Sequence, residues 1–328
     1  MKKTVFAALT ITLTAAICTP AIFHAYDIFS RRLGVLYTPT LRIQSPTGSA
    51  FALADPALGY RLNQGVFRLT SYGGEGGGQS RSFTATLDAE GHRVTSADAP
   101  PDGDARPVLA VFGCSYSWGW GVDDRDSFPW LVQREFPAYQ VVNFSQPGYG
   151  SVHSLVQLAG LVRQARTIEY AVFTYNPFHL ERNAAAPSHL KGLLNANFEP
   201  ARKGEMLYPK ASLVDGKLSI DMIKIREGGD AEPSQAQMLA ITNAIFAEII
   251  SICKAHGITA VFARQGGSAD DPVAGFARRA GFEVLDLAVD LTDDRFTFAP
   301  FDPHPNALAN KTYAKKLGDW LRTRPGPH

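Results

Sequence analysis

Ser115, Asp302 and His304 are the side chains whose types and spacing could do chemistry, and that chemistry would be nucleophilic attack on a carbonyl. Ser115 lies in residues 108–122, VLAVFGCSYSWGWGV, just after a buried-type apolar run that breaks at Gly113. A serine hydroxyl is a weak nucleophile until a neighbouring base takes its proton. The base on offer is His304, in residues 301–306, FDPHPN. A D-x-H spacing in a loop can place both side chains on one side of the turn. Asp302, accepting from one imidazole nitrogen, would fix the tautomer and leave the other nitrogen free for the serine proton. Each half has a plain alternative: Ser115 as a turn or helix-capping residue, and Asp302–His304 as an Asx-turn with a surface histidine. Taken together, meeting across a sheet, they predict an ester-cleaving site.

The elements that must position these residues are readable from residue 107 onward. Apolar runs at 108–112, 141–144, 171–175, 258–263 and 282–287 read as strands. Between and after them, helical spacing covers 127–136, 151–165, 234–255, 272–280 and 307–322, with Asp126 and Ser234 as expected N-caps. This alternation predicts a flavodoxin-like parallel sheet of about five strands with helices on both faces. In such a sheet ligands bind at the carboxyl ends of the strands, where Ser115 falls. Residues 181–233 interrupt the rhythm, with a hairpin at 211–220 turning on Asp215-Gly216. Residues 37–106 read as a small β-rich lobe, carrying GVFRL at 65–69 and SFTATL at 82–87. A Gly-rich loop at 72–78 and a linker at 98–104 (DAPPDGD) punctuate it.

At 45% hydrophobic and 19% charged, the 328 residues can bury a sizeable core. The 32 basic and 31 acidic residues leave a net charge of +1 with no basic stripe, which argues against a nucleic-acid partner. Cys18, Cys114 and Cys253 form no CxxC pair and no metal-type spacing. Lys2 and Lys3 precede the nearly uncharged residues 4–23, so residues 1–36 are expected to be a signal peptide or an N-terminal membrane anchor. The body would then be exported, periplasmic or extracellular; the plainer alternative is a buried N-terminal helix. A redox flavodoxin is excluded, because no glycine-rich phosphate loop follows the first strand and Asp123-Asp124 would face the phosphate.

GCSYSWGWGV after the first strand, NFSQPGYG after the second, a third strand ending in Asn, and DPHPNALA before the last helix together resemble the SGNH (GDSL-like) hydrolases. The resemblance covers residues 107–324 and extends weakly to DPALGYRL at 55–62. It implies Ser115 as nucleophile, Asp302 and His304 as acid and base, and an oxyanion hole from the N–H groups of Ser115 and Gly148 and the side chain of Asn176. It implies no metal and no cofactor. Two departures stand out: Cys114 replaces the family's aspartate before the serine, and Asn176-Pro177-Phe178 replaces its G-x-N-D, with His179, Arg182 and Asn183 nearby. Tyr116, Trp118 and Trp120 are candidates to line a sugar or acyl pocket, with core packing as the alternative, and His179 is a candidate substrate contact.

The expected function is an exported carbohydrate or acyl esterase, such as a deacetylase, acting on a small-molecule or polysaccharide ester. Two other readings stay open at this point. One is a glycan O-acyltransferase using the same site, and the other is a catalytically silent glycan-binding module.

Overall fold

A computed structural model of the chain describes residues 40–73, 79–98, 104–164, 167–195, 206–227, 231–299 and 302–326. The chain divides into a unit over residues 1–40 and a second over 41–328. The expected signal or anchor segment thus lies outside the described residues, as do residues 74–78 of the glycine-rich run and 99–103 of the linker.

Among the described residues, β1 (Thr40–Gln44), β2 (Ala52–Asp55), β3 (Gly59–Leu62), β4 (Gly65–Gly73) and β5 (Gln79–Leu87) come first. β2 and β3 pair as a short hairpin, while β1, β4 and β5 form a three-stranded sheet in that order. Tyr72 and Gly73, expected in a loop, extend β4 and pair with Ser80 and Gln79. Phe67, Leu69, Phe83, Ala85 and Leu87 alternate inward from β4 and β5, the two-residue period of a strand with one buried face.

The rest of the chain alternates: β6 (Val108–Phe112), α1 (Ser115–Trp118), α2 (Phe128–Glu135), β7 (Gln140–Asn143), α3 (Ser151–Leu161), β8 (Ile168–Tyr175), α4 (His179–Asn183) and α5 (Pro187–Asn195). After these come β9 (Leu207–Val214), β10 (Lys217–Lys224), α6 (Gln235–Ala255), β11 (Thr259–Arg264), α7 (Pro272–Ala280), β12 (Glu283–Asp286), β13 (Thr297–Phe298), β14 (Asp302–Pro305) and α8 (Ala307–Leu321). β7, β6, β8, β11 and β12 form one parallel sheet in that spatial order. The order reverses between β6 and β8, and that switch point opens a crevice at the strands' carboxyl ends.

The central strands β6, β8 and β11 are buried on both faces because most of their successive residues are apolar. Ala110, Phe112, Ala171, Phe173, Ala260 and Phe262 join α3, α6 and α7 in one cluster. Leu109, Val111, Val172, Val261 and Ala263 join α2 and α8 in another. α6 is long and apolar enough to cross a bilayer, yet its Ile245, Phe246, Ile249 and Cys253 are buried in the first of these clusters. Ser234 caps it through a reciprocal pair with Gln237. Asp126, the other expected cap, lies instead in a 3-10 turn, and Ser127 takes the N-cap position of α2. The Asp215-Gly216 turn has positive φ at both residues, the type I′ geometry that matches strand twist, and its hairpin extends well beyond 211–220.

Residues 41–98 share a core with the α/β part. Phe51, Tyr60, Phe67 and Phe83 cluster with Trp118 and Tyr149, and with Met206 and Tyr208 of the inserted region. The insertion and the N-terminal strands bury each other's apolar faces.

Candidate active site

β6 stays buried to Phe112 and then makes a turn that only glycine permits at 113. A Cβ there would collide with the Thr174 hydroxyl and with Ser117 Oγ. Cys114 is extended at the N-cap of α1, and Ser115 opens the helix. Its N–H is among the first-turn amides that lack an intrahelical partner. α1 ends at once at Gly119, whose φ of 91° puts it in the left-handed region. This short helix keeps the Ser115 hydroxyl at the edge of the crevice, 5% exposed.

The structure brings Asp302 and His304 to that hydroxyl. His304 Nε2 lies 2.9 Å from Ser115 Oγ, and His304 Nδ1 pairs with Asp302 Oδ1. The His304 backbone N–H also donates to Asp302 Oδ1, at 2.9 Å. β14 presents both side chains from one edge, paired with β13. Asn306 then caps α8 through the amides of Leu308 and Ala309. Asp302's second oxygen accepts from the Trp120 indole N–H at 3.1 Å. Burial alone would raise the Asp302 carboxyl; the His304 ring, its two hydrogen bonds and the Trp120 bond outweigh it and hold the group below the usual carboxylate range. A carboxylate kept ionised against an imidazole orients the ring and stabilises its cationic form.

Asn176 follows β8 directly, on the far side of the switch point from Ser115, and is 1% exposed. Its Nδ2 points at Cys114 Sγ, 3.8 Å away, so the amide lies against the turn that carries Ser115. Gly148 is in the loop after β7, with φ of +84°. That loop is tied to the same turn by the Gln146 N–H donating to Gly113 O at 3.2 Å. A Cβ on Gly148 would run into the Tyr60 hydroxyl, which donates to the carbonyl of Pro147. Cys114 itself is fully buried, and the imidazole is on Ser115.

Of the expected substrate contacts, Tyr116 is at a cleft: it lines a volume of about 450 Å³ together with Asn176, Phe178, Glu181, Gly266 and Gly267. Its ring meets both Phe178 and His304 edge-on. Trp118 and His179 are corrections, since both are fully buried. Trp118 packs edge-on against Phe51 and Phe83, because in α1 it points away from Tyr116 into the core. His179 Nδ1 sits 3.3 Å from Ser151 Oγ, and burial and the Arg182 charge push its pKa well down. Trp120, a pocket candidate by its spacing, meets Asp302 through a loop fold that local spacing does not encode. Among the described residues, Asp88, Glu90 and His92 bring ligand atoms within 4.8 Å of one another. There Asp88 is engaged by the N–H groups of Glu90 and His92, on the turn after β5.

No protein-family model matches this sequence, and no curated protein sequence matches it. Solved structures similar to it include that of TesA, at 16% identity and a TM-score of 0.41 over 66% of this chain and 98% of that one. A lipolytic protein of the G-D-S-L family from Veillonella parvula aligns at 11% identity and a TM-score of 0.38, over 66% and 99% of the two chains. AlinE4, described as a SGNH-hydrolase family esterase, aligns at 14% and 0.35, over 66% and 95%. The chemistry assigned below rests on this chain's own side chains.

Proposed function

We propose that this chain is a serine hydrolase that cleaves carboxylic esters through an acyl-enzyme. The observation that carries the reading is the Ser115–His304–Asp302 relay, in which Ser115 at the start of α1 meets His304 of β14, 189 residues away in sequence. Ser115 Oγ attacks the ester carbonyl while His304 Nε2 takes its proton, and Asp302 stabilises the resulting imidazolium. The N–H groups of Ser115 and Gly148 and the Asn176 amide receive the oxyanion. Collapse breaks the bond to the leaving alkoxide, which takes the proton from His304. Water then attacks the acyl-serine by the same route, with His304 again as base.

The substrate class we propose is a small acyl ester on a polyhydroxylated alcohol, such as an acetylated glycan. Supporting it, the cleft beside Asn176 offers the rings of Tyr116 and Phe178 for stacking and the exposed Glu181 carboxylate to accept hydroxyls. Export, with residues 4–23 as signal or tether, belongs to the same proposal.

Labelling the purified protein with a fluorophosphonate and mapping the adduct is the direct test. The expected result is modification at Ser115, with p-nitrophenyl acetate turnover falling ~10⁴-fold or more in Ser115→Ala. Equal background turnover by wild type and variant would leave a silent binding module instead.

A further inference from the structure

Arg93 lies outside the α/β region, yet its guanidinium is spent entirely on the loop that follows the nucleophile helix and on the strand beside it. It is 1% exposed. Nε donates to Asp124 Oδ1 at 2.8 Å. Nη1 donates to the carbonyls of Trp118 and Gly119, at 3.2 and 2.5 Å. Nη2 donates to those of Val122 and Thr84, at 2.7 and 3.0 Å. These contacts use all five N–H groups an arginine has. The plane also lies over the Trp118 ring, 4.6 Å from its centre.

The loop held in this way makes two left-handed turns, at Gly119 and Gly121. A Cβ on Gly119 would press on Arg93 Nη1 and Ser127, and one on Gly121 would strike the Phe298 ring. Trp120, between these glycines, is the residue the loop delivers to Asp302. Further bonds reach the loop from β5: Arg81 Nε donates to Gly121 O at 3.2 Å, and the Thr84 N–H donates to Asp123 at 2.7 Å.

We propose that Arg93 is a positioning residue for the relay: by fixing residues 118–124 it holds the Trp120 indole N–H on Asp302 Oδ2, and so sets the carboxylate that orients His304. This assigns to the segment after β5 a role in catalysis, and it rests on the hydrolase reading above only for its kinetic readout. Lysine in place of Arg93 keeps the charge but cannot span five acceptors in a plane. Phenylalanine in place of Trp120 keeps a ring and removes the N–H.

The test is a double-mutant cycle on the full chain. Trp120→Phe is expected to lower kcat about tenfold with KM unchanged, the order of one lost orienting hydrogen bond. Arg93→Lys should lower kcat at least as much, and the double variant should lose no more than Arg93→Lys alone. Losses that multiply would mean independent roles and would overturn the proposal. A second readout needs no turnover: the Trp120 indole cross-peak in ¹⁵N spectra, identified by its absence in Trp120→Phe, should shift and exchange faster in Arg93→Lys. An unmoved Trp120 cross-peak in folded Arg93→Lys would overturn the proposal. Loss of turnover in the wild type, with the cross-peak behaving as expected, would sink the hydrolase reading and leave the positioning role standing.

Discussion

The loops bearing Ser115 and Asn176 leave neighbouring parallel strands, β6 and β8, and what holds them is the sheet. Phe112 pairs with Phe173 in register, and below them both faces are packed with apolar side chains. The loops bearing Gly148 and Trp120 are held differently. Tyr60 donates to Pro147 O, Gln146 Oε1 accepts from the Leu62 N–H at 3.0 Å, and Arg93 ties down the carbonyls around Trp120. One side of the site is thus placed by hydrophobic burial, which is non-directional and spread over many atoms. The other is placed by a few buried hydrogen bonds, each of which leaves an unsatisfied group when cut. The lesson is that substitutions on the first side should act through the chemistry, and those on the second through the geometry of loops that carry it.

The largest effect expected in that comparison is on the sheet side. Asn176→Ala removes the proposed oxyanion donor without touching a strand, and should lower kcat by ~10²–10³ with the melting temperature little changed. A loss confined to KM would show that the amide binds the ground state instead. On the other side, Tyr60→Phe deletes the hydroxyl beneath Gly148. The stranded Pro147 carbonyl should cost about 1–3 kcal/mol in urea unfolding, with kcat falling about tenfold as the loop relaxes. A destabilised variant with undiminished kcat would break the link between this loop and the chemistry.

The smallest effect on kcat lies beneath the same loop, where the change is one of stability and is seen through pH. His153 is fully buried and accepts from the Gly150 N–H at 3.1 Å; burial and the Arg182 charge lower its pKa to about 3. The unfolded chain takes up this proton below about pH 6.5, whereas the folded chain does not until about 3. Stability from keeping His153 neutral is therefore complete above that upper limit and is lost as the pH falls, by about 1.4 kcal/mol per unit. His153→Gln should narrow the drop in urea stability between pH 7 and 4.5 relative to wild type. An identical drop would assign the acid sensitivity to other groups.

Much of this was legible in the residues. The central parallel strands stand out because β6, β8 and β11 are mostly apolar along their length, and both of their faces are buried. Asp215-Gly216 and Ser234 were equally plain, since a type I′ turn and a helix cap are decided within a few residues. Trp118 and Trp120 show where that stops. They are two residues apart with the same chemistry, yet one fills a core built by β4 and β5 and the other reaches Asp302, 182 residues away. His179 likewise carries no mark of burial, because part of what surrounds it, Ser151 of α3, comes from elsewhere in the chain.

By itself the sequence determined the alternation of strands and helices, the glycine at 113 that lets β6 turn, and the D-x-H pair ahead of the last helix. These depend on local periodicity, backbone freedom and short-range geometry. Only the tertiary structure decided that His304 Nε2 meets Ser115, that Trp120 rather than Trp118 faces the site, and that Arg93 reaches from the segment after β5 to hold it. Those choices depend on which apolar faces pack together and which buried donors then find acceptors, and that is settled between segments far apart in the chain.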